Sequence, residues 1–417
     1  MEILKFKRTT AAWQLWLLMA TVLLGAIATP SFAQAPLPLS PDRYFKSSPM
    51  RNLKSGTAMA RTSFKAAINA AGAGSLPLFD YTVTSPVDGN SYSGMIVGRN
   101  PLFHGARATS IPTVIVPVIL QIAQNYGSGT DTYDPTAPDP SCSPHGSALT
   151  LVQNSPVFSN SDIQMGGTDI GDTTYSDAFE RAEFWSNVSV TGNAFHTLLA
   201  VTTTTPMTAA VPAADGQSYA PSQISPTPCE HLGVMNTTYV NNTLIPNLIA
   251  SLSSQGLGPS TIPIFLIYNV VMADPGTSPT APTCCVLGFH SGLQNGSDPP
   301  QFYGIADFDT TGAFPDPDIS ILSHEVAEML NDPASENDTP AWGDVGEVQN
   351  NCSQKFEVGQ TFTAASSPPM VMNGFTYHPQ ELAFFSWFYR MDPSLGVNGW
   401  FSDEGSFTND AGPVCQD

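Results

Sequence analysis

The chain has 417 residues, and its 35 acidic residues far outnumber its 14 basic residues, which gives a net charge of −21 at pH 7. So acidic a molecule is a poor partner for nucleic acid or for an anionic membrane surface. A hydrophobic content of 41% is enough for a sizeable core, and the even count of six cysteines favours disulfide bonds in an oxidising compartment.

The first 33 residues have the features of an export signal. A basic start at residues 5–8 precedes an apolar run over residues 15–28, and Ser31-Phe32-Ala33 offers small side chains at a cleavage site. We therefore predict a signal peptide over residues 1–33 and a secreted protein, extracellular or periplasmic, without a membrane partner after cleavage. An uncleaved anchor is the alternative, but the apolar run is short for a membrane span.

Two further regions follow the signal. Residues 34–75 are rich in Ala, Ser and Pro and are predicted to form an arm, a linker or a short pro-segment. Residues 76–417 are predicted to form the main globular domain, which contains all six cysteines. Cys284 and Cys285 are adjacent in the sequence, and we expect them to bond to different partners.

The main domain shows strand and helix patterns in alternation. Strand patterns cover residues 79–84, 91–97, 111–120, 262–272 and 302–306, and helix patterns cover residues 176–186 and 243–252. Residues 202–228 are rich in Thr, Ala, Ser and Pro and are predicted to be a long surface loop, whereas the aromatic segment 380–389 is expected to be packed. The mixture favours an α+β or α/β class, as one large sheet-and-helix domain with long loops.

One further helix is predicted between residues 316 and 333. Asp316 suits the N-cap and Pro317 the first helical position, and Pro333 ends the run. At about 100° per residue, five apolar side chains fall within one arc; they are Ile319, Leu322, Val326, Met329 and Leu330. His324 and Glu328 lie on the opposite side, so the apolar face can pack inward while the polar pair faces a cleft.

This helix carries a possible metal site. His324 and Glu328 are four residues apart and project from nearly the same side of a helix. Glu325 occupies the position where a metallopeptidase keeps its general base. A catalytic zinc usually takes three protein ligands and leaves one position for water. The third ligand is predicted to be Glu347, nineteen residues after Glu328, as in thermolysin-like peptidases, with Asp344 as the competing choice.

Two features bear on the identity of the ion. Thermolysin-like enzymes have histidine where this chain has Glu328, and a harder ligand set should prefer zinc less strongly and tolerate manganese or calcium better. No Lys or Arg occurs between Arg181 and Lys355, although eleven acids lie at residues 307–347. Crowded carboxylates repel one another unless they are protonated or bridged by a cation. We expect most of these acids to be solvated and a cation among the others.

The surroundings of the helix resemble a known pattern. The string SHEVAEMLNDP at residues 323–333 is followed by WGD at 342–344 and GEVQNNC at 346–352, and CCVLGFH precedes it at 284–290. This arrangement resembles secreted bacterial and fungal proteins of the "SHELAE…TDP" type, which are distantly similar to the plant Exordium (phosphate-induced) family. The resemblance covers roughly residues 260–355. It implies a secreted protein with a zincin-like, metallopeptidase-like site and no settled substrate.

The sequence thus favours a secreted, metal-dependent hydrolase that acts on a peptide or another extracellular substrate and uses Zn²⁺ or another divalent cation. The alternative is a non-catalytic secreted or cell-wall-associated protein whose metal site is structural. His290 could line the cleft and His378 could stabilise an oxyanion, although a structural role is more common for such histidines. No GxSxG string indicates a serine hydrolase.

Overall fold

A computed structural model describes residues 51–52, 74–103, 107–143, 145–224, 226–277, 284–294, 298–343, 352–362 and 367–412. These residues all belong to one compact unit that spans residues 39–417. The predicted signal peptide, and all of the predicted arm except a few residues, lie outside the described part. No helix within that part is long and apolar enough to cross a membrane.

More of the described residues lie in strands than in helices. The strands are β1 (Arg51–Asn52), β2 (Leu78–Thr84), β3 (Ser91–Val97), β4 (Ala108–Ala123), β5 (Thr130–Tyr133), β6 (Ser161–Met165), β7 (Thr168–Thr173), β8 (His196–Thr203), β9 (Met207–Ala210), β10 (Gly216–Tyr219), β11 (Leu232–Asn236), β12 (Ile262–Tyr268), β13 (Val270–Ala273), β14 (Gly288–Gln294), β15 (Gln301–Phe308), β16 (Asp338–Gly343), β17 (Cys352–Lys355), β18 (Met370–Met372) and β19 (Phe375–Tyr377). The α-helices of four or more residues are α1 (Ala148–Gln153), α2 (Tyr175–Ala182), α3 (Trp185–Val188), α4 (Ile245–Ser254), α5 (Ser320–Asn331) and α6 (Phe385–Phe388). A helical turn at Thr237–Tyr239 and a π-helical turn at Val240–Leu244 lead into α4, and short 3₁₀ turns occur at Pro221–Gln223 and Val397–Gly399.

Eight strands form the main, curled sheet. The long strand β4 is its centre, because β8 and β9 pair with it in succession, and β12 and β5 pair with it as well. The order then runs from β12 through β15 and β14 to the short β1. The β14–β15 and β4–β5 pairs are antiparallel, and the other pairs are parallel. Every residue of β12, β14 and β15 is buried, as expected for strands covered on both faces.

The remaining strands form smaller sheets. Strands β10, β11 and β13 form a three-stranded sheet, and four two-stranded hairpins pair β2 with β3, β6 with β7, β16 with β17, and β18 with β19. Helix α5 packs against β14 and β15 on one side and against α2 and β3 elsewhere. The helix therefore lies between the main sheet and the smaller elements, which is why all twelve of its residues are buried.

Several predictions from the sequence are confirmed. The mixed α/β class is observed, and the hairpin of β2 and β3 pairs Leu78 with Val97 at its open end. The strand predicted at residues 111–120 lies within β4, and the strand predicted at 302–306 lies within β15. The aromatic tail is packed as expected, since Phe384 to Tyr389 are all nearly inaccessible to solvent.

Three predicted elements are wrong in detail. Residues 202–228 are not one long loop, because β9 and β10 form there and pair with β4 and β11. The strand predicted at 262–272 is broken at Asn269, whose φ of 53° is left-handed. The helix predicted at 176–186 is interrupted between α2 and α3. In each case pairing or packing with a distant segment overrides the local pattern.

The cysteines follow the disulfide prediction only in part. Cys142 and Cys229 are bonded, with a Cα–Cα separation of 5.6 Å. Cys284 and Cys285 are bonded to each other rather than to different partners, so that expectation is wrong. Both lie in the core immediately before β14, with the adjacent Leu287 also buried.

Candidate metal centre

Helix α5 carries the predicted site, although it starts later than predicted. Its first residue is Ser320 and its N-cap is Ile319, which makes no side-chain cap hydrogen bond. Asp316 is therefore not the cap. Asp318 has a φ of 47°, which no right-handed helix can include, and its carboxylate accepts hydrogen bonds from the backbone N–H groups of Ile319 and His378. The helix ends at Asn331, as the following proline predicts.

The polar face of α5 is buried rather than solvated. Its apolar residues join one core cluster, and Ala327 joins a second cluster on another side. His324, Glu325 and Glu328 are each 3% exposed or less. The expectation that most acids at residues 307–347 are solvated is also wrong. The buried acids of this region are Asp307, Asp309, Asp316, Asp318, Glu325, Glu328 and Asp332.

The imidazole of His324 is held in one orientation. Its Nδ1 lies 2.8 Å from the side-chain oxygen of Gln380, whose amide nitrogen donates to the carbonyl of Gly359. Because that oxygen can only accept, Nδ1 carries the hydrogen and Nε2 presents its lone pair. Nε2 lies 3.0 Å from Oε1 of Glu328. Burial lowers the pKa of His324 to about 4, so the ring is neutral at pH 7.

A second histidine reaches the helix from strand β14. Nε2 of His290 lies 3.0 Å from the carbonyl oxygen of Asp332, so this nitrogen carries a hydrogen. Nδ1 lies 3.3 Å from Oε2 of Glu325 and 3.5 Å from Oε2 of Glu328. Both histidines thus donate one N–H to a neutral oxygen and turn the other nitrogen toward carboxylates, as metal-ligating histidines do.

Glu328 is the centre of the arrangement. Its Oε1 accepts the backbone N–H groups of Gly359 and Gln360 at 3.0 and 3.1 Å. Glu357, which follows β17 and is 1% exposed, has a ligand atom within 4.8 Å of one of Glu328. Burial and the charge of Glu325 raise the pKa of Glu328 to about 8. Among the described residues, two triads can hold an ion. One is His290, Glu328 and Glu357, and the other is His324, Glu325 and Glu328.

Glu325 differs from the other acids of the site. Its Oε2 faces His290, but its Oε1 has no hydrogen-bond partner among the described residues. Burial raises its pKa to about 8, and the charge of Glu357 adds to the shift. A buried carboxylate oxygen without a donor is costly, so its position next to candidate ligand atoms suits a cation or a proton at this oxygen.

The predicted ligands are brought together in part. His324 and Glu328 are adjacent, as the helical spacing predicts, with Glu325 beside them. Glu347 and Asp344 lie outside the described residues. Glu357 is a candidate ligand that the sequence analysis missed. The sequence signal for Glu357 is an acidic residue between two apolar ones, Phe356 and Val358. The structure buries both neighbours fully. His378 instead pairs with Asp318 at 2.6 Å.

The distances fit a small divalent ion. A tetrahedral zinc with bonds of about 2.0–2.1 Å holds its ligand atoms about 3.3 Å apart. The contacts of the two histidines with Glu325 and Glu328 span 3.0 to 3.5 Å. The residues present therefore suit such an ion, and the nitrogen ligands favour a transition metal over calcium.

Access to the cluster is narrow in the described part of the chain. His290, His324, Glu325, Glu328 and Glu357 are all 3% exposed or less. Two surface cavities of about 290 and 380 Å³ lie elsewhere, one beside Asp215 and Asp274 and the other beside Asp131 and Tyr268. None of the five residues lines either cavity. Burial of this degree is typical of closed structural metal sites, whereas catalytic sites keep one position open.

No known protein family, curated protein or solved structure matches this chain. The resemblance to the SHELAE-type and Exordium proteins therefore stays a prediction. The geometry of the site is the basis for any functional conclusion.

Gln380 provides a test of how the site is held. Gln380→Leu should lower the affinity for the metal by about 10–100-fold, because His324 loses its acceptor while every ligand atom remains. Competition with a chromophoric chelator measures the affinity, and Gln255→Leu, on an exposed position at the end of α4, is the control. Equal affinity of Gln380→Leu and wild type would contradict this role.

The acids before α5 make stability depend on pH. Burial, reinforced by the charge of Asp309, raises the pKa of Asp316 to about 7, and burial raises that of Asp309 to about 6. The folded state therefore binds protons that the unfolded state has lost, and stability falls as the pH rises from about 4 to 7. Asp316→Asn should raise the free energy of unfolding by about 2–4 kcal/mol at pH 8 and by less at pH 5. Urea unfolding at both pH values measures it. The exposed Asp172→Asn is the control, and a gain that is larger at pH 5 would contradict the sign.

Proposed function

We propose that this protein is a secreted metal-dependent hydrolase with a metallopeptidase-like, zincin-like site. The carboxylate of Glu325 carries the proposal. It is buried beside two imidazoles and Glu328, and its Oε1 has no described partner. Burial raises the pKa of this carboxyl to about 8, and a cation at the neighbouring ligands would lower it toward neutral pH, where a general base and acid works best.

The roles of the residues follow from their contacts. His324 and Glu328 would hold the ion. The third ligand would be Glu357, which lies close to Glu328, or Glu347, which the sequence predicts. A bound divalent ion supplies a Lewis acid and lowers the pKa of a water molecule. Gln380 fixes the tautomer of His324, and the backbone of Gly359 and Gln360 fixes Glu328. Glu325 would accept a proton from such a water on its Oε1.

Three further observations support this function. The helix with the HExxE string packs against β14, an antiparallel strand near the edge of the main sheet, in keeping with a zincin-like arrangement. The disulfide between Cys142 and Cys229 is compatible with an extracellular location. The net charge of −21 disfavours nucleic acid. A peptide or another extracellular molecule would be the substrate.

The alternative is a structural metal site in a non-catalytic secreted or wall-associated protein. The near-complete burial of all five polar residues favours it, because structural sites are closed while catalytic sites keep a position open. In that case the protein should lose stability on removal of the metal but show no turnover.

The test compares wild type with His324→Ala. Wild type should contain bound metal by elemental analysis and cleave members of a diverse synthetic peptide library, as detected by mass spectrometry. His324→Ala should lose both metal and cleavage, whereas His231→Ala, on a half-exposed histidine outside the cluster, should lose neither. Equal and near-zero metal in wild type and His324→Ala would refute the metal site. Bound metal without cleavage would favour the structural alternative.

A further inference from the structure

The cluster contains two triads of candidate ligands rather than one. His324, Glu325 and Glu328 form the first, and His290, Glu328 and Glu357 form the second. Within each triad the ligand atoms lie within 4.8 Å of one another. Glu328 is the one residue that the two triads share.

The two oxygens of Glu328 face different histidines. Oε1 lies 3.0 Å from Nε2 of His324, and Oε2 lies 3.5 Å from Nδ1 of His290. A carboxylate can bridge two metal ions through its two oxygens, and bridging carboxylates are common in dinuclear sites. The backbone N–H groups of Gly359 and Gln360 hold this carboxylate in place.

Each imidazole is prepared as a ligand independently of the other. His324 donates its Nδ1–H to the side chain of Gln380, which lies in the aromatic segment 380–389. His290 donates its Nε2–H to the carbonyl of Asp332, the residue that follows α5. The nitrogens left with lone pairs point toward different oxygens of Glu328. A single ion near His324 would leave the lone pair of His290 facing the carboxylates of Glu325 and Glu328, which is repulsive without a cation or a proton between them.

The charge of the cluster agrees with two ions. Glu325, Glu328, Asp332 and Glu357 are all buried, at 3% exposure or less. One divalent cation offsets two of these four formal charges, and a second offsets the other two. Asp332 belongs to neither triad, so it contributes charge rather than a ligand atom.

We infer that the site binds two divalent transition-metal ions bridged by Glu328, one beside His324 and one held by His290 and Glu357. This inference rests on the proposed metal-dependent function and extends it to a dinuclear centre. A second ion would also allow the site to catalyse more kinds of hydrolysis, since paired ions can stabilise both the attacking and the leaving oxygen.

The test counts ions and measures their coupling. The full-length mature protein is loaded with Mn²⁺, freed of excess metal by gel filtration and analysed for metal and protein. Wild type should contain two ions per chain and give an exchange-coupled electron paramagnetic resonance spectrum. Glu357→Gln, which preserves the side-chain shape, should contain one ion and lose the coupling, and Glu328→Gln should lose both ions. His231→Ala should match wild type.

The outcomes separate this inference from the proposed function. One ion per wild-type chain, or an uncoupled spectrum at two ions, overturns the dinuclear centre and leaves the mononuclear hydrolase standing. Glu357→Gln with two ions overturns the placement of the second ion. No ion in wild type overturns both proposals. Circular dichroism of each variant distinguishes loss of a ligand from failure to fold.

Discussion

Gly359→Ala should release the bound metal although it removes no ligand atom. A Cβ at this position would lie 2.3 Å from Nδ1 of His324 and 2.6 Å from Cγ and Cε1 of the same ring. The backbone of Gly359 cannot easily move away, because its N–H binds Glu328 and its carbonyl accepts from Gln380. The imidazole must therefore turn. We expect the affinity for the metal to fall at least about 100-fold and the free energy of unfolding to fall by about 1–3 kcal/mol.

Elemental analysis and thermal unfolding with and without metal measure these effects. Gly258→Ala is the matched control, because no atom lies within 4 Å of its added Cβ. Neither glycine has a left-handed φ, so the comparison isolates the lack of space from backbone strain. If Gly359→Ala binds metal as tightly as Gly258→Ala, the described packing of His324 is wrong.

Glu325→Gln should abolish catalysis while leaving the ion in place. The amide keeps an oxygen beside the ligands but cannot take up a proton, so turnover should fall by about 10²–10⁴-fold, the usual contribution of a general base. Cleavage of a peptide selected from the library measures turnover, and elemental analysis measures the metal. Glu230→Gln, on a side chain that is 40% exposed, should behave as wild type. Turnover of Glu325→Gln within twofold of wild type would contradict the role of the base.

The ligands on helix α5 could be predicted because the sequence pattern that places them lies within the helix itself. The four-residue spacing of His324 and Glu328 and the proline at 333 are enough to place two ligands on one helix and to end it. The hairpin of β2 and β3 was predictable for the same reason, since alternation and a turn lie within twenty residues of each other.

The rest of the site depends on distant segments. Glu357 and His290 reach Glu328 only because β14 and the segment after β17 pack around α5, and no periodicity in the sequence encodes that contact. The start of α5 was mispredicted because Asp318 adopts a left-handed conformation that binds His378, sixty residues away. Good local capping residues were overridden by a tertiary contact.

Burial was misjudged for a related reason. A polar helix face normally faces water, and most acids between residues 307 and 347 are therefore predicted to be solvated. Their burial follows from the placement of α5 between the main sheet and the smaller elements. A buried set of carboxylates requires compensation by protons, hydrogen bonds or cations, and that requirement makes the centre informative about function.

The covalent bond between Cys142 and Cys229 has a thermodynamic consequence for the whole domain. It joins residues 87 positions apart, and this closed loop includes α2, which packs on α5. By the chain-entropy relation, such a cross-link removes roughly 4–5 kcal/mol of configurational freedom from the denatured ensemble. Much of the free energy of unfolding would then depend on this disulfide bond. Protein made in a reducing cytosol, where the bond does not form, should be markedly less stable.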